Sequence, residues 1–151
     1  MRNKILALFL AIMITTPCFA EGIGMVNYRQ VIANYSKAKT VMSELEDKTN
    51  ELQRYLLDKE KEFKKLETAV QKKNFEDQTA KAFAQKQDAL QQYRAKKEAE
   101  IDAAINNAIK QVAIENKLDA VLDSRVVFHG GIDVTDKVLK KLNFTPPAIK
   151  K

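Results

Sequence analysis

The chain has 151 residues and a formal net charge of +6, which suits one ordinary domain and is too short for two. Charged residues make up 30% and hydrophobic ones 45%, so neither a disordered tail nor a multi-span membrane protein fits. None of the four glycines and three prolines falls between residues 25 and 129. Folds with many short strands need turn residues far more often. The composition therefore excludes sandwiches, barrels and doubly wound sheets, and favours very long helices.

Residues 1–20 have the pattern of a secretory signal peptide. A basic start precedes the apolar run 5–14, and small residues at Cys18 and Ala20 predict cleavage after Ala20. A lipid anchor on Cys18 is the alternative, which Pro17 disfavours because a small flexible residue is expected there. Cleavage lowers the net charge to +4 and removes the only cysteine, so the exported chain has no disulfide to stabilise it.

A seam of mainly apolar residues, spaced alternately four and three apart, begins at Ala38. This spacing over five heptads predicts a long coiled-coil helix, with Ser36 as its N-cap. Eight of the eleven seam positions are apolar: Ala38, Met42, Leu45, Thr49, Leu52, Leu56, Lys59, Phe63, Leu66, Val70 and Lys73.

A second helix is predicted over residues 79–116. Its last part has a clear apolar stripe, and Asn74 and Asp77 are suitable caps for a new helix start, which predicts a hairpin turn at 72–78. The segments 36–73 and 79–116 have equal lengths, so a hairpin brings residue 116 back beside residue 36, where the arm begins. One unbroken helix of about 80 residues is the alternative, which the missing glycine and proline favour.

The chain on either side of this arm, residues 21–35 and 118–143, predicts a small body. We expect strands at 23–27, 120–123 and 125–129, then a helix over 136–142 with Thr135 as its N-cap and a flexible tail at 144–151. A core this small is marginal alone, and its strands have open edges, so we expect the body to be the oligomerisation module. The residues assigned to that contact are Val126, Val127 and Phe128.

Taken together, these segments resemble the Skp/OmpH family of periplasmic chaperones over essentially the whole exported chain. The resemblance is carried by Met25–Asn27, Glu51–Arg54, Phe83–Lys86, Arg94–Lys97, Leu118–Asp123 and Asp133–Leu139. It implies a mostly α-helical, jellyfish-like homotrimer in which helical-hairpin tentacles on a small β-rich body surround a cavity. It further implies an ATP-independent holdase in the periplasm that binds unfolded outer-membrane β-barrel proteins.

The outer part of the arm is basic. Residues 59–97 contain eleven Lys or Arg and six Asp or Glu, whereas the segments nearer the body are slightly acidic. A solvated coiled-coil surface is one interpretation, and attraction to acidic clients, anionic lipid or lipopolysaccharide is the other. Helical spacing aligns the candidate contacts Lys86 and Lys97 to within about 20°, and the candidates Arg94 and Lys96 flank that line on either side. Lys96 and Lys97 stand where the family has arginines.

Phe75 lies out of phase at the predicted turn and is the candidate for an exposed client contact. We expect Phe63 and Phe83, in contrast, to close the hairpin against each other.

Catalytic chemistry is not expected. His129 is the only histidine, so neither a metal site nor a nucleophile–base pair can be assembled, and no phosphate-binding glycine loop is present. The sequence thus predicts no enzyme and no cofactor, and export removes nucleic acid as a partner. A structural or adaptor coiled coil of the cell envelope, which would bind folded partners, remains the alternative to the chaperone.

Overall fold

The computed structural model describes residues 22–144. The predicted signal peptide, its cleavage point and the tail beyond Phe144 lie outside this range. The elements in chain order are β1 (Ile23–Val26), α1 (Tyr28–Asn34), α2 (Ser36–Phe63), α3 (Ala69–Glu115), β2 (Ala120–Asp123), a 3-10 turn (Ser124–Val126), β3 (Ile132–Asp133) and α4 (Thr135–Asn143). Within this range, no helix is both long and apolar enough to cross a membrane.

Helices α2 and α3 pack against each other in opposite directions, with 28 and 47 residues respectively. The expectation of a mostly helical chain built on two long packed helices is confirmed, and the unbroken helix is excluded. The predicted turn position is wrong, because the chain reverses at residues 64–68. Thr68 and Gln71 form a capping box there, each side chain accepting the other's backbone N–H at 3.3 Å.

The seam of α2 differs from strict heptad spacing at two places. Val41 is buried and its neighbour Met42 is 65% exposed, although Met42 was predicted in the seam. Tyr55 is likewise half-buried, whereas Leu56 is 42% exposed. Of the apolar side chains expected between the helices, Met42 therefore faces solvent and Leu56 lies at the edge of the contact.

The three strands form one parallel sheet in the order β2-β1-β3, with Met25 opposite both Leu122 and Asp133. The strands predicted at 23–27 and 120–123 are present. Helix α1 was not predicted, although Asn27 supplies its cap by accepting the Gln30 N–H at 3.0 Å.

The strand predicted at 125–129 is wrong. The Asp123 carboxylate accepts the backbone N–H of Arg125 at 2.9 Å and also pairs with its guanidinium, which turns the chain into a 3-10 helix. Gly130 and Gly131 then take positive φ angles of 82° and 94°, which glycine adopts without strain, and lead into β3.

Both predicted hydroxyl caps act differently from expectation. Ser36 is the first residue of α2, and its backbone N–H donates to the Asn143 side chain at 2.9 Å. Thr135 is the first residue of α4, and its hydroxyl accepts the Asn27 N–H at 2.9 Å. These two bonds tie the C-terminal helix to the N-terminal part of the body.

The buried core lies where the hairpin meets the sheet. Side chains from α1, α3 and α4 converge there, and those with the least exposure are Val31, Ile105, Val112, Val134 and Val138. The apolar stripe predicted near the end of α3 is therefore real, and it packs on the body as well as on α2.

Candidate functional site

Midway along the hairpin, one flank carries two tyrosines surrounded by lysines. We call it the tyrosine flank; it encloses a depression of about 380 Å³ lined by Lys48, Glu51, Leu52, Tyr55, Lys86, Ala89, Leu90 and Tyr93. The ammonium of Lys86 lies 5.1 Å from the centre of the Tyr55 ring, and that of Lys48 lies 4.9 Å from the centre of the Tyr93 ring. Both distances are within the range of cation–π attraction.

A polar network joins the two helices next to this flank. The Tyr93 hydroxyl donates to the Glu44 carboxylate at 2.5 Å, and this hydrogen bond raises the pKa of Tyr93. Lys97 donates to Glu100 at 3.2 Å, and the same contact raises the pKa of Lys97 and lowers that of Glu100. Since Lys97 also lies 5.5 Å from the Tyr93 ring centre, it belongs to the same network.

The four predicted cations do not form a single line. Lys86 and Lys97 lie on the tyrosine flank, and Lys96 follows Ala89 by seven residues, which places it on that side too. Arg94 instead lines a depression on the opposite flank, with Met42 and Glu98 among its neighbours. The structure thus brings three of the four cations to one side of the arm.

The flank opposite the tyrosines carries an apolar groove near the turn. We call it the phenylalanine groove; its volume is about 340 Å³, and it is lined by Leu56, Lys59, Glu60, Phe63, Phe75, Glu76, Thr79, Ala80 and Phe83. The Phe63 and Phe75 rings lie 6.2 Å apart and are tilted by 44°, a favourable arrangement for aromatic pairs. Phe75 is half-buried in this pair rather than fully exposed, and its ring forms part of the groove wall.

The residues predicted for oligomerisation lie together at the edge of the body. Val126 is 63% exposed and Phe128 is fully exposed, while Val127 is half-buried between them. Three more exposed apolar side chains lie on the adjoining strands: Ile23, Leu122 and Ile132. We call these six residues the body patch.

Sequence reasoning missed the tyrosines and Lys48. The sequence did contain a signal for Tyr55. It follows the seam residue Leu52 by three positions, and residues three apart lie on the same face of a helix. The charge count over residues 59–97 does not include Lys48 or Tyr55, so it gives no sign of this part of α2.

The described residues contain no cluster of His, Cys, Asp or Glu that could hold a metal ion. What this range does present is a long helical hairpin on a small parallel sheet, with aromatic and cationic surfaces along the arm. Surfaces of this kind are typical of proteins that bind other molecules.

Comparison with known proteins agrees with that class. The family described as Outer membrane protein (OmpH-like) matches residues 22–142. Chaperone protein Skp of Escherichia coli (strain K12) is 30% identical over an alignment that covers 90% of this chain and 94% of the relative. Proteins of the same name from Escherichia coli O157:H7 and Shigella flexneri give the same figures.

The chain therefore belongs to the OmpH-like family of Skp chaperones. This confirms the resemblance drawn from the sequence segments, and membership of a chaperone family confirms that the protein is not an enzyme.

Proposed function

We propose that this protein is an ATP-independent holdase of the periplasm that binds unfolded outer-membrane β-barrel proteins and prevents their aggregation. The observation that carries the proposal is the long arm with uncovered apolar surface, notably the phenylalanine groove and the exposed Met42, within a family of chaperones. Apolar surface of this kind on a soluble chain is a common mark of a site that binds other polypeptides.

The proposed working form is a homotrimer held together by the body patch. Val126 and Phe128 expose apolar area that a second copy would cover, and strands β2 and β3 have free edges that favour pairing with another chain. Three arms around one axis would enclose a cavity. A client inside it would be kept from meeting a second unfolded chain.

Release without nucleotide requires that no single contact be strong. The contacts available on the arm are partly exposed rings and solvated lysines, each of which contributes little on its own. Many such contacts together retain a client by multivalency, and each can break independently. The client can therefore leave stepwise toward a more favourable folded state.

The tyrosine flank is the proposed contact for acidic client segments and for anionic lipid or lipopolysaccharide. Lys86, Lys96 and Lys97 lie on that side of the arm, and Lys48 adds a fourth charge from α2. Binding there should weaken as salt screens these exposed charges. Arg94 on the other flank would contribute to client binding separately.

The test is light scattering during dilution of an unfolded β-barrel protein into buffer without nucleotide. We expect scattering to be suppressed once the chaperone trimer equals the client in concentration. Unchanged aggregation would contradict the proposal. If a crosslinking pull-down then recovered one folded partner rather than many unfolded ones, the envelope-adaptor alternative would replace it.

Assembly is tested separately with Val127→Asp, which places a charge in the middle of the body patch. Sedimentation equilibrium should show a trimer for the natural sequence and dissociated chains for the variant, whose body we expect to unfold cooperatively. The double variant Lys86→Glu with Lys97→Glu is the control and should remain trimeric, because both residues lie on the arm. A stable folded monomer of the natural sequence at micromolar concentration would contradict the trimer and the cavity mechanism.

A further inference from the structure

The phenylalanine groove has the shape and chemistry of a site for a single side chain. Its volume of about 340 Å³ is at the small end of the range for ligand pockets, and the rings of Phe63, Phe75 and Phe83 form its wall. An aromatic guest side chain could pack against these rings at a centroid distance similar to the 6.2 Å between Phe63 and Phe75.

The faces of the two paired rings are reachable from solvent. The ammonium of Lys59 lies 5.6 Å from the Phe75 ring centre, and that of Lys72 lies 5.8 Å from the Phe63 ring centre. Both lysines have long flexible side chains on the surface of the arm, so a guest ring can displace them at small cost.

Charge at the mouth of the groove is balanced. Lys59 is paired with Glu62 at 2.6 Å, and Glu60 is paired with Lys64 at 2.6 Å. Within residues 22–144, Glu76 on the rim and Lys72 over the Phe63 ring have no ion pair, and their charges are opposite. The aromatic wall therefore has no net charge beside it, which suits a neutral side chain better than an anionic headgroup.

We propose that the phenylalanine groove binds single aromatic side chains of unfolded polypeptides. This inference rests on the proposed function and specifies which client residues anchor to the arm. Outer-membrane barrels carry aromatic girdles at both membrane interfaces, so their unfolded chains supply many such residues. The groove would select these clients through their aromatic side chains.

The test exploits the absence of tryptophan from the chain, because the indole of a guest is then the only tryptophan signal. The probe is a short, neutral, unstructured peptide of Ser, Gly, Asn and Thr with one central Trp. Its emission should shift to the blue as the full exported protein is added. An otherwise identical peptide with Leu in place of Trp should compete several-fold less well.

Ala80→Phe supplies a ring from within the chain and should fill the groove, which we expect to weaken peptide binding about three- to tenfold. Ala84→Phe is the matched control, since Ala84 is an exposed alanine one turn further along α3 that does not line the groove. It should leave binding unchanged. Measuring the helix content of both variants by circular dichroism shows that each still folds.

Three results would overturn the inference: no blue shift at the highest protein concentration, equal binding by both variants, or equal competition by the Leu peptide. Any of these, obtained with a protein that still suppresses aggregation, would reject the groove alone and leave the holdase standing. If indole binding were lost only in Ala80→Phe, but the natural protein failed to suppress aggregation, the groove would be supported and the holdase function rejected.

Discussion

The two ends of the hairpin are stabilised by different means. Where the hairpin meets the sheet, Ile105 and Val112 are almost completely buried. Further out, none of the residues from 42 to 100 is buried, and the helices are joined by half-buried side chains, the Tyr93–Glu44 hydrogen bond and cation–π contacts. Burial contributes far more to stability per residue than exposed polar contacts do.

This difference suggests a division of tasks. The base can fold firmly and keep the arms in place, while the outer arm leaves apolar and charged groups available for partners. Regions with few buried contacts also open more readily by local fluctuation, which suits the client-binding surface proposed for the arm. Stability and binding are therefore separated along a single pair of helices.

The largest effect should come from removing core volume at the base. Ile105→Ala should lower the free energy of unfolding by about 2–5 kcal/mol, because the side chain is completely buried and would leave a cavity. Urea denaturation followed by circular dichroism measures the change. Val70→Ala is the matched control in the outer arm, where 71% of the side chain is exposed, and should shift stability by less than about 0.5 kcal/mol. Equal losses would contradict the contrast between the two regions.

A smaller loss is expected from Thr135→Val. The Thr135 hydroxyl is buried and accepts the Asn27 N–H, so valine should leave that donor unsatisfied at a cost of about 1–3 kcal/mol. Thr40→Val removes a hydroxyl that donates to the Ser36 carbonyl on the exposed surface of α2, and it should have almost no effect. The same denaturation measurement compares both variants. A cost for Thr135→Val no larger than for Thr40→Val would show that this bond does not stabilise the body.

Periodicity in the sequence predicted the long helices because their apolar spacing is a local property. The phase error at Met42 arose because the base of α2, through Val41, packs on the body as well as on α3, and strict heptads describe contact with one partner only. The turn was misplaced by assuming equal helix lengths. The capping box of Thr68 and Gln71, which marks the true start of α3, matches a known sequence signature of helix N-termini.

The candidate site was less predictable than the fold. A charge count located the basic part of the arm, but only the pairing of α2 with α3 shows that Tyr55 and Lys86 lie together. The strand predicted at 125–129 failed for a local reason, since the Asp123 side chain competes with strand pairing for the Arg125 N–H. The run of three apolar residues there, Val126 to Phe128, marks an exposed patch rather than a strand.

A third prediction concerns alkaline pH. Burial raises the pKa of Tyr28 to about 12, and the hydrogen bond and charge of Asp102 contribute further. Because the folded pKa is above the unfolded value of about 10, the stabilisation is complete below pH 10 and is lost as the pH rises toward 12. Tyr28→Phe should therefore reduce the dependence of unfolding free energy on pH in that window. Parallel stability curves for the variant and the natural sequence would contradict the assignment.

The smallest global effect should come from the matching bond in the outer arm. The Tyr93 hydroxyl donates to Glu44 at 2.5 Å, as Tyr28 does to Asp102, but the helices around it lack a buried core. Tyr93→Phe should change the global free energy of unfolding by less than about 0.5 kcal/mol. Local opening should respond more, with amide hydrogen exchange near residues 44 and 93 up to about tenfold faster. If exchange at the base accelerated equally, the two ends would unfold as one unit and the division between a firm base and an adaptable arm would be wrong.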